Sequence, residues 1–294
     1  LVYFMHRRFH AGKRILLAIL LLLLGEKETL AMPAGYDFLS LKPATDGGNY
    51  FSLWGAKNIR KKDFVFGNYF YYSSNPLQLL RSGARLRGVV DQLFMQEFHA
   101  SYGIIDRWLS AGVNVPVAWS LDFLDPNVAL PASDKKTAFG DIRLHLKTEL
   151  MDMKDREWGI ALIPFLTIPT GSGDLFLGSK SLTGGGLLAL EFEPNQKVSM
   201  VLNAGVELAP NFQIRNANKN TQLMAGIGGR VNLSPAIAAV AELISSGRIS
   251  GLYQEEVESP LETRGGLKWG IPNTGLTASL GGGAGIIRGS GAPT

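Results

Sequence analysis

Hydrolysis or acyl transfer needs a nucleophile, a general base and an orienting partner within hydrogen-bond reach. Beyond residue 31 the bases to consider are His99 and His145, since His6 and His10 lie in a basic leader. His99 stands near Glu97 and Ser101, and His145 stands among Arg143, Lys147 and Glu149. No G-x-S-x-G nucleophile turn occurs. The runs Gly184-Gly185-Gly186 and Gly281-Gly282-Gly283 fit neither a dinucleotide nor a phosphate loop, and Gly178-Ser179-Lys180-Ser181 is only a near miss. Two scattered histidines and dispersed carboxylates form no metal-ligand spacing. The absence of cysteine removes a thiol nucleophile, a Cys-based zinc site and a disulfide framework. Neither an enzyme nor a metal or cofactor is expected.

What remains is charge at every second position. Asp141, Arg143, His145, Lys147 and Glu149 share one face of an extended segment, while Ile142, Leu144, Leu146 and Leu150 share the other. The same reading puts Lys197, Glu207, Arg230, Glu242, Glu262, Arg264 and Lys268 on inward faces of other segments. Such groups line an aqueous lumen and set its ion preference, or neutralise one another and fill it. Barrels of eight strands are filled by side chains and those of sixteen or more leave a channel, so about twelve strands leaves both readings open. Inward glycines (Gly112, Gly205, Gly226, Gly228 and Gly266) favour space, but glycine also relieves crowding at strong bends.

The elements that must position these groups are strands. Alternation predicts them near 62–73, 88–102, 107–120, 139–151, 157–169, 185–193, 197–209, 221–232, 235–246, 258–270 and 273–288. Short connections alternate with long ones at 74–87, 121–138, 170–184, 210–220 and 247–257, as in an antiparallel up-and-down sheet with one trimmed and one elaborated rim. The apolar faces are aliphatic and almost free of charge over about ten residues, the length a tilted strand needs to cross a hydrocarbon core. Backbone groups in lipid must be paired within the protein, so such a sheet has to curl on itself. Trp108, Trp119, Trp158, Trp269, Tyr69, Tyr71 and Tyr72 fall near strand ends, where aromatic girdles sit. The expectation is an all-β, antiparallel, up-and-down transmembrane β-barrel; a secreted soluble β-sandwich is the alternative.

Residues 1–31 read as a signal peptide: a basic stretch after Met5, the apolar run Ile15 to Leu24, and Thr29-Leu30-Ala31 as a small-x-small cleavage site. Ten apolar residues in a helix span only about half of a ~30 Å core, which argues against a membrane anchor. The leader holds five of the 29 Lys and Arg and two of the 25 Asp and Glu, leaving 24 against 23. The formal +4 therefore belongs largely to the leader, and a nucleic-acid-binding surface is not expected. With 35 glycines in 294 residues, 18% charged residues and a mean hydropathy of +0.09, the rest reads as one barrel over 62–294. A segment at 32–61 precedes it, in which residues 47–56 are an extra strand or lie tucked at the mouth.

From Phe64 to Pro293 the chain resembles the N-terminal barrel of outer membrane protein A-like, peptidoglycan-anchoring proteins of δ-proteobacterial type. The carriers are Phe66-Gly67-Asn68-Tyr69-Phe70, Asn75-Pro76-Leu77, Val89-Val90-Asp91-Gln92-Leu93, Gly140-Asp141-Ile142-Arg143-Leu144, Leu166-Thr167-Ile168-Pro169-Thr170-Gly171, Phe176-Leu177-Gly178 and Gly289-Ser290-Gly291-Ala292-Pro293. The resemblance implies a structural module in the outer membrane, with lipid and the barrel-assembly machinery as partners, self-association left open, and peptidoglycan held only through a C-terminal domain that is absent here. It also implies a last barrel strand after Pro293, and counting agrees: eleven strands end at the long-loop rim whereas an even number returns the chain to the periplasmic side, so a twelve-stranded parent lacking its closing strand here is expected. A porin-like passive channel for small solutes is the alternative function, and a barrel hydrolase a remote one.

Overall fold

The computed structural model describes residues 37, 39, 41–81, 84–123, 137–210, 212–214, 217–249 and 258–287. The signal peptide and its cleavage site, the parts of the long connections at 124–136 and 250–257, and the carrier Gly289 to Pro293 lie outside them.

Each predicted strand has its counterpart in one antiparallel sheet. In chain order the strands are β1 (Phe64–Arg81), β2 (Ala84–Ile105), β3 (Leu109–Phe123), the short β4 (Ala138–Phe139), β5 (Ile142–Met151), β6 (Trp158–Ile168), β7 (Thr183–Asn195) and β8 (Val198–Leu208). They continue with a small hairpin, β9 (Phe212–Ile214) and β10 (Ala217–Lys219), and then β11 (Gln222–Asn232), β12 (Ile237–Arg248), β13 (Leu261–Ile271) and β14 (Leu276–Ile287). Each main strand pairs with the next in sequence, with β4 added beside the far half of β3 and the β9–β10 hairpin outside the sheet. Strands β5, β6, β8 and β11 to β14 are 10 to 12 residues long, the crossing length for a tilted strand. Edges β1 and β14 share no ladder among the described residues, but Lys268 Nζ on β13 reaches the Tyr69 hydroxyl on β1 at 3.4 Å.

The alternation places apolar groups outside and polar groups inside. On β8, Met200 and Leu202 are about half exposed (52% and 49%), whereas the alternate positions Ser199 and Asn203 are at 4% and 3%. A soluble sheet buries the opposite face, so this inversion argues for an apolar surrounding. Phe64, Phe66, Phe70, Tyr72, Trp119, Trp158 and Trp269 are likewise exposed on the outside.

Two expectations need correction, and one pair of alternatives loses its strand member. The connection predicted at 74–87 is ladder: β1 and β2 stay paired past Leu77↔Val90 to Arg81↔Ala84. Register shifts around Asn75-Pro76 absorb the proline, with Asn75 at φ 49°, and they break the period of two on which the strand boundary rested. Tyr69 and Tyr71 do not join an outer girdle. Phe70 and Tyr72 take the outer face of β1, so the intervening tyrosines turn inward. Residues 47–56 form no strand.

Candidate functional site

The site is the lumen, and the chain itself occupies it. Residues 41–59 run inside the curled sheet from the connection after β6, where Asp37 bridges Leu177, toward the end of β2, where the Lys62 N–H donates to the Gly103 carbonyl and the Gly103 N–H donates to the Asp63 carbonyl. The segment is aromatic and non-periodic: Tyr50, Phe51, Leu53, Trp54, Ala56 and Ile59 are all buried. Having no ladder of its own, its backbone must find partners on the wall.

The wall supplies them with side chains. Glu242 accepts the Phe51 N–H at 2.5 Å, the Ser52 N–H at 3.2 Å and the Ser52 hydroxyl at 2.6 Å. Asn203 brackets Trp54, accepting from its N–H at 2.8 Å and donating to its carbonyl at 2.9 Å. Glu191 accepts from Ala56 N–H, Glu149 accepts from Asn58 N–H, and Asn114 donates to the Pro43 carbonyl. Lys147, fully buried, donates to Asp46 Oδ2 at 2.8 Å and to the Lys57 carbonyl at 2.6 Å, below the Trp54 ring. Arg230 donates to Asn49, Arg264 to Ser52 and Glu262, and Tyr50 and Ser199 share a hydrogen bond. Charged wall groups hydrogen-bonding an inserted backbone are stronger contacts than neutral pairs would be.

The remaining candidates fall at identifiable places. His145 Nε2 meets the Thr45 hydroxyl at 2.6 Å, and its ring edge lies against Trp54. His99 stacks on Tyr69. Arg143 lies 3.5 Å over the Phe165 ring, Glu207 faces Lys42, and Lys268 lies over Phe51. Asp141 holds the connection after β6, accepting from Gly171 N–H, Ser179 N–H and the Ser179 hydroxyl. Burial raises its carboxyl above the usual value, and those three donors pull against the rise. The serine near miss of a phosphate loop is thus spent on a carboxylate. Lys197 is misplaced by the sequence reading: it occupies the exposed turn between β7 and β8, because the hairpin interrupts the two-residue count.

Three of the glycine expectations change meaning. A Cβ on Gly226 or Gly228 would come within 2.5 or 2.8 Å of Leu53, and one on Gly266 or Gly281 would meet the adjoining strand's backbone at 2.2 or 2.7 Å and the Phe51 ring at 2.9 Å. Their space is a socket for the inserted side chains rather than open lumen. Gly226→Ala should therefore lower the urea midpoint of the refolded barrel by the equivalent of about 1–3 kcal/mol, and Leu53→Ala in the same chain should recover most of it. If the double variant is no better than the single one, the socket assignment fails. The segment's part was missed from sequence; the signal was its run of aromatics beside Gly47-Gly48 without alternation.

The family model described as "Putative MetA-pathway of phenol degradation" matches residues 77–238. Among solved structures, the chain is similar to the COG4313 outer membrane channel from Pseudomonas putida F1, with a TM-score of 0.61 and 12% identity, over 79% of this chain and 91% of that one. No curated protein matches. The family matched is not the outer membrane protein A-like one to which the short motifs pointed; an outer-membrane barrel is what the two have in common.

Proposed function

Because the chain belongs to the family described as "Putative MetA-pathway of phenol degradation", we propose that it is an outer-membrane β-barrel channel for small solutes, held shut by its own residues 41–61. The observation that carries this reading is the inverted barrel with a polar lumen whose obstruction is a separate, non-ladder segment. A lumen filled by its own wall side chains could not be cleared without unfolding strands. Here the obstruction is bound by side-chain hydrogen bonds and can leave while the ladders stay intact. The similarity in fold to an outer membrane channel supports the same reading. An anchoring role is weaker: it rests on short motifs from a family other than the one whose model matches.

The test is solute uptake by vesicles. Proteoliposomes carrying the chain without residues 41–61 should swell in an iso-osmotic small sugar, while those carrying the whole chain swell slowly. No swelling from a shortened chain that still migrates as a folded barrel removes the channel reading.

A further inference from the structure

Four wall side chains bond the inserted segment through its backbone at every second residue. Glu242 on β12 accepts the Ser52 N–H at 3.2 Å, Asn203 on β8 the Trp54 N–H at 2.8 Å, Glu191 on β7 the Ala56 N–H at 2.7 Å and Glu149 on β5 the Asn58 N–H at 3.1 Å. All four are buried. Two carbonyls are met as well, that of Trp54 by Asn203 and that of Lys57 by Lys147. The Ser199 hydroxyl donates to Oε1 of Glu191, which leaves Oε2 for the segment. These contacts engage N–H and C=O groups, which any peptide carries. A helix bonds its own N–H groups internally, so only an open backbone can offer them. Side-chain demands are few and local. Phe51 and Leu53 lie in the glycine sockets, a Cβ on Gly55 would come within 2.9 Å of Glu191 Oε2, and Ala56 packs on Gly159, where even a Cβ would come within 2.7 Å of it.

We propose that Glu242, Asn203, Glu191 and Glu149 form a binding track for an unfolded peptide, and that the track takes such a peptide from a second molecule whenever the tethered segment is out. The recognised pattern is two apolar side chains separated by one residue, with small residues two and three positions after the second. Three of the four acceptors are carboxylates, so the track selects against an acidic peptide. The tether gives the chain's own segment a high effective concentration and makes it the resident occupant. The inference rests on the channel reading for that vacancy alone, and binding is measured without transport.

The test uses the full chain with Trp54→Pro and Ala56→Pro, which keeps every wall residue and removes two of the four N–H donors of the segment. This variant should open in planar bilayers. A fluorescent synthetic peptide of residues 41–59 should block the current, and its anisotropy should show saturable binding to the variant beyond its uptake by empty micelles. Methylating the peptide nitrogens of Trp54 and Ala56 should weaken binding about tenfold for each bond lost. Methylating those of Leu53 and Lys57, which meet no wall acceptor among the described residues, should leave it unchanged. The added methyl groups are apolar, so uptake by micelles cannot imitate the loss. A peptide with Phe51→Leu and Leu53→Met should still bind, and one with Ala56→Leu should not. If the proline variant lacks the heat-sensitive gel migration of a folded barrel, the full chain with Phe51→Ser and Leu53→Ser replaces it. Equal loss from methylation at all four nitrogens, a conducting variant that binds no peptide, or a folded variant that neither conducts nor binds overturns the track. Peptide binding by a barrel that never conducts overturns the channel reading and leaves the track standing.

Discussion

In planar bilayers the Glu242→Ala variant should open about a hundredfold more often than the whole chain, with the conductance of each opening unchanged. Glu242 is 2% exposed and holds three donors of the inserted segment, two of them backbone N–H groups. Hydrogen bonds to a charged group are worth roughly 1.5–3 kcal/mol each, but a departing segment recovers much of this from water. A net loss of about 3 kcal/mol shifts a two-state equilibrium by roughly a hundredfold. Alanine leaves the β12 ladder intact, since the wall strand keeps its pairing with β11 and β13. Larger unit conductance would mean that the barrel itself had changed. An unchanged open probability would show that this carboxylate does not hold the segment.

Lys147→Met should be the most destabilising single change in the lumen. The ammonium is fully buried, and its Asp46 partner is nearly so, at 7%. Removing the cation leaves a buried carboxylate without its counter-charge, which costs about 3–5 kcal/mol. Among the described residues Asp46 retains the Gly48 and Gly55 N–H groups as donors. The cost has a ceiling, because the segment can leave and return Asp46 to water. The urea midpoint followed by tryptophan fluorescence should therefore fall steeply, and open probability should rise with it. Asp46→Asn added to Lys147→Met should restore most of both. A double variant no better than the single one would show that the pair is not the source of the loss.

How far the sequence could be read depended on how local each determinant is. Alternation over Ile142 to Met151 depends only on neighbouring side chains, and β5 starts and stops where that alternation does. The connection at 74–87 was misread because Asn75-Pro76 looks like a turn; only the opposing strand shows the bulge that absorbs it. Lys197 was misassigned for a similar reason, a period counted through a hairpin. The wall residues Asn114, Ser199 and Asn203 were unremarkable polar positions in sequence, and their importance comes from partners about 70 to 150 positions away.

By itself the sequence determined the strands, their order, the apolar outer face and the charged inner one, because period, length and turn chemistry are properties of short windows. Tertiary structure decided what the inner face is for. Carboxylates and lysines that looked like a mutually neutralising lumen instead hold the backbone of residues 41–61, and glycines that looked like open space receive Phe51 and Leu53. The physical reason is that an inserted segment without ladder or period leaves no signature of its own. Its place is set by hydrogen bonds from β3, β5, β7, β8 and β12, which come together only once the sheet has curled.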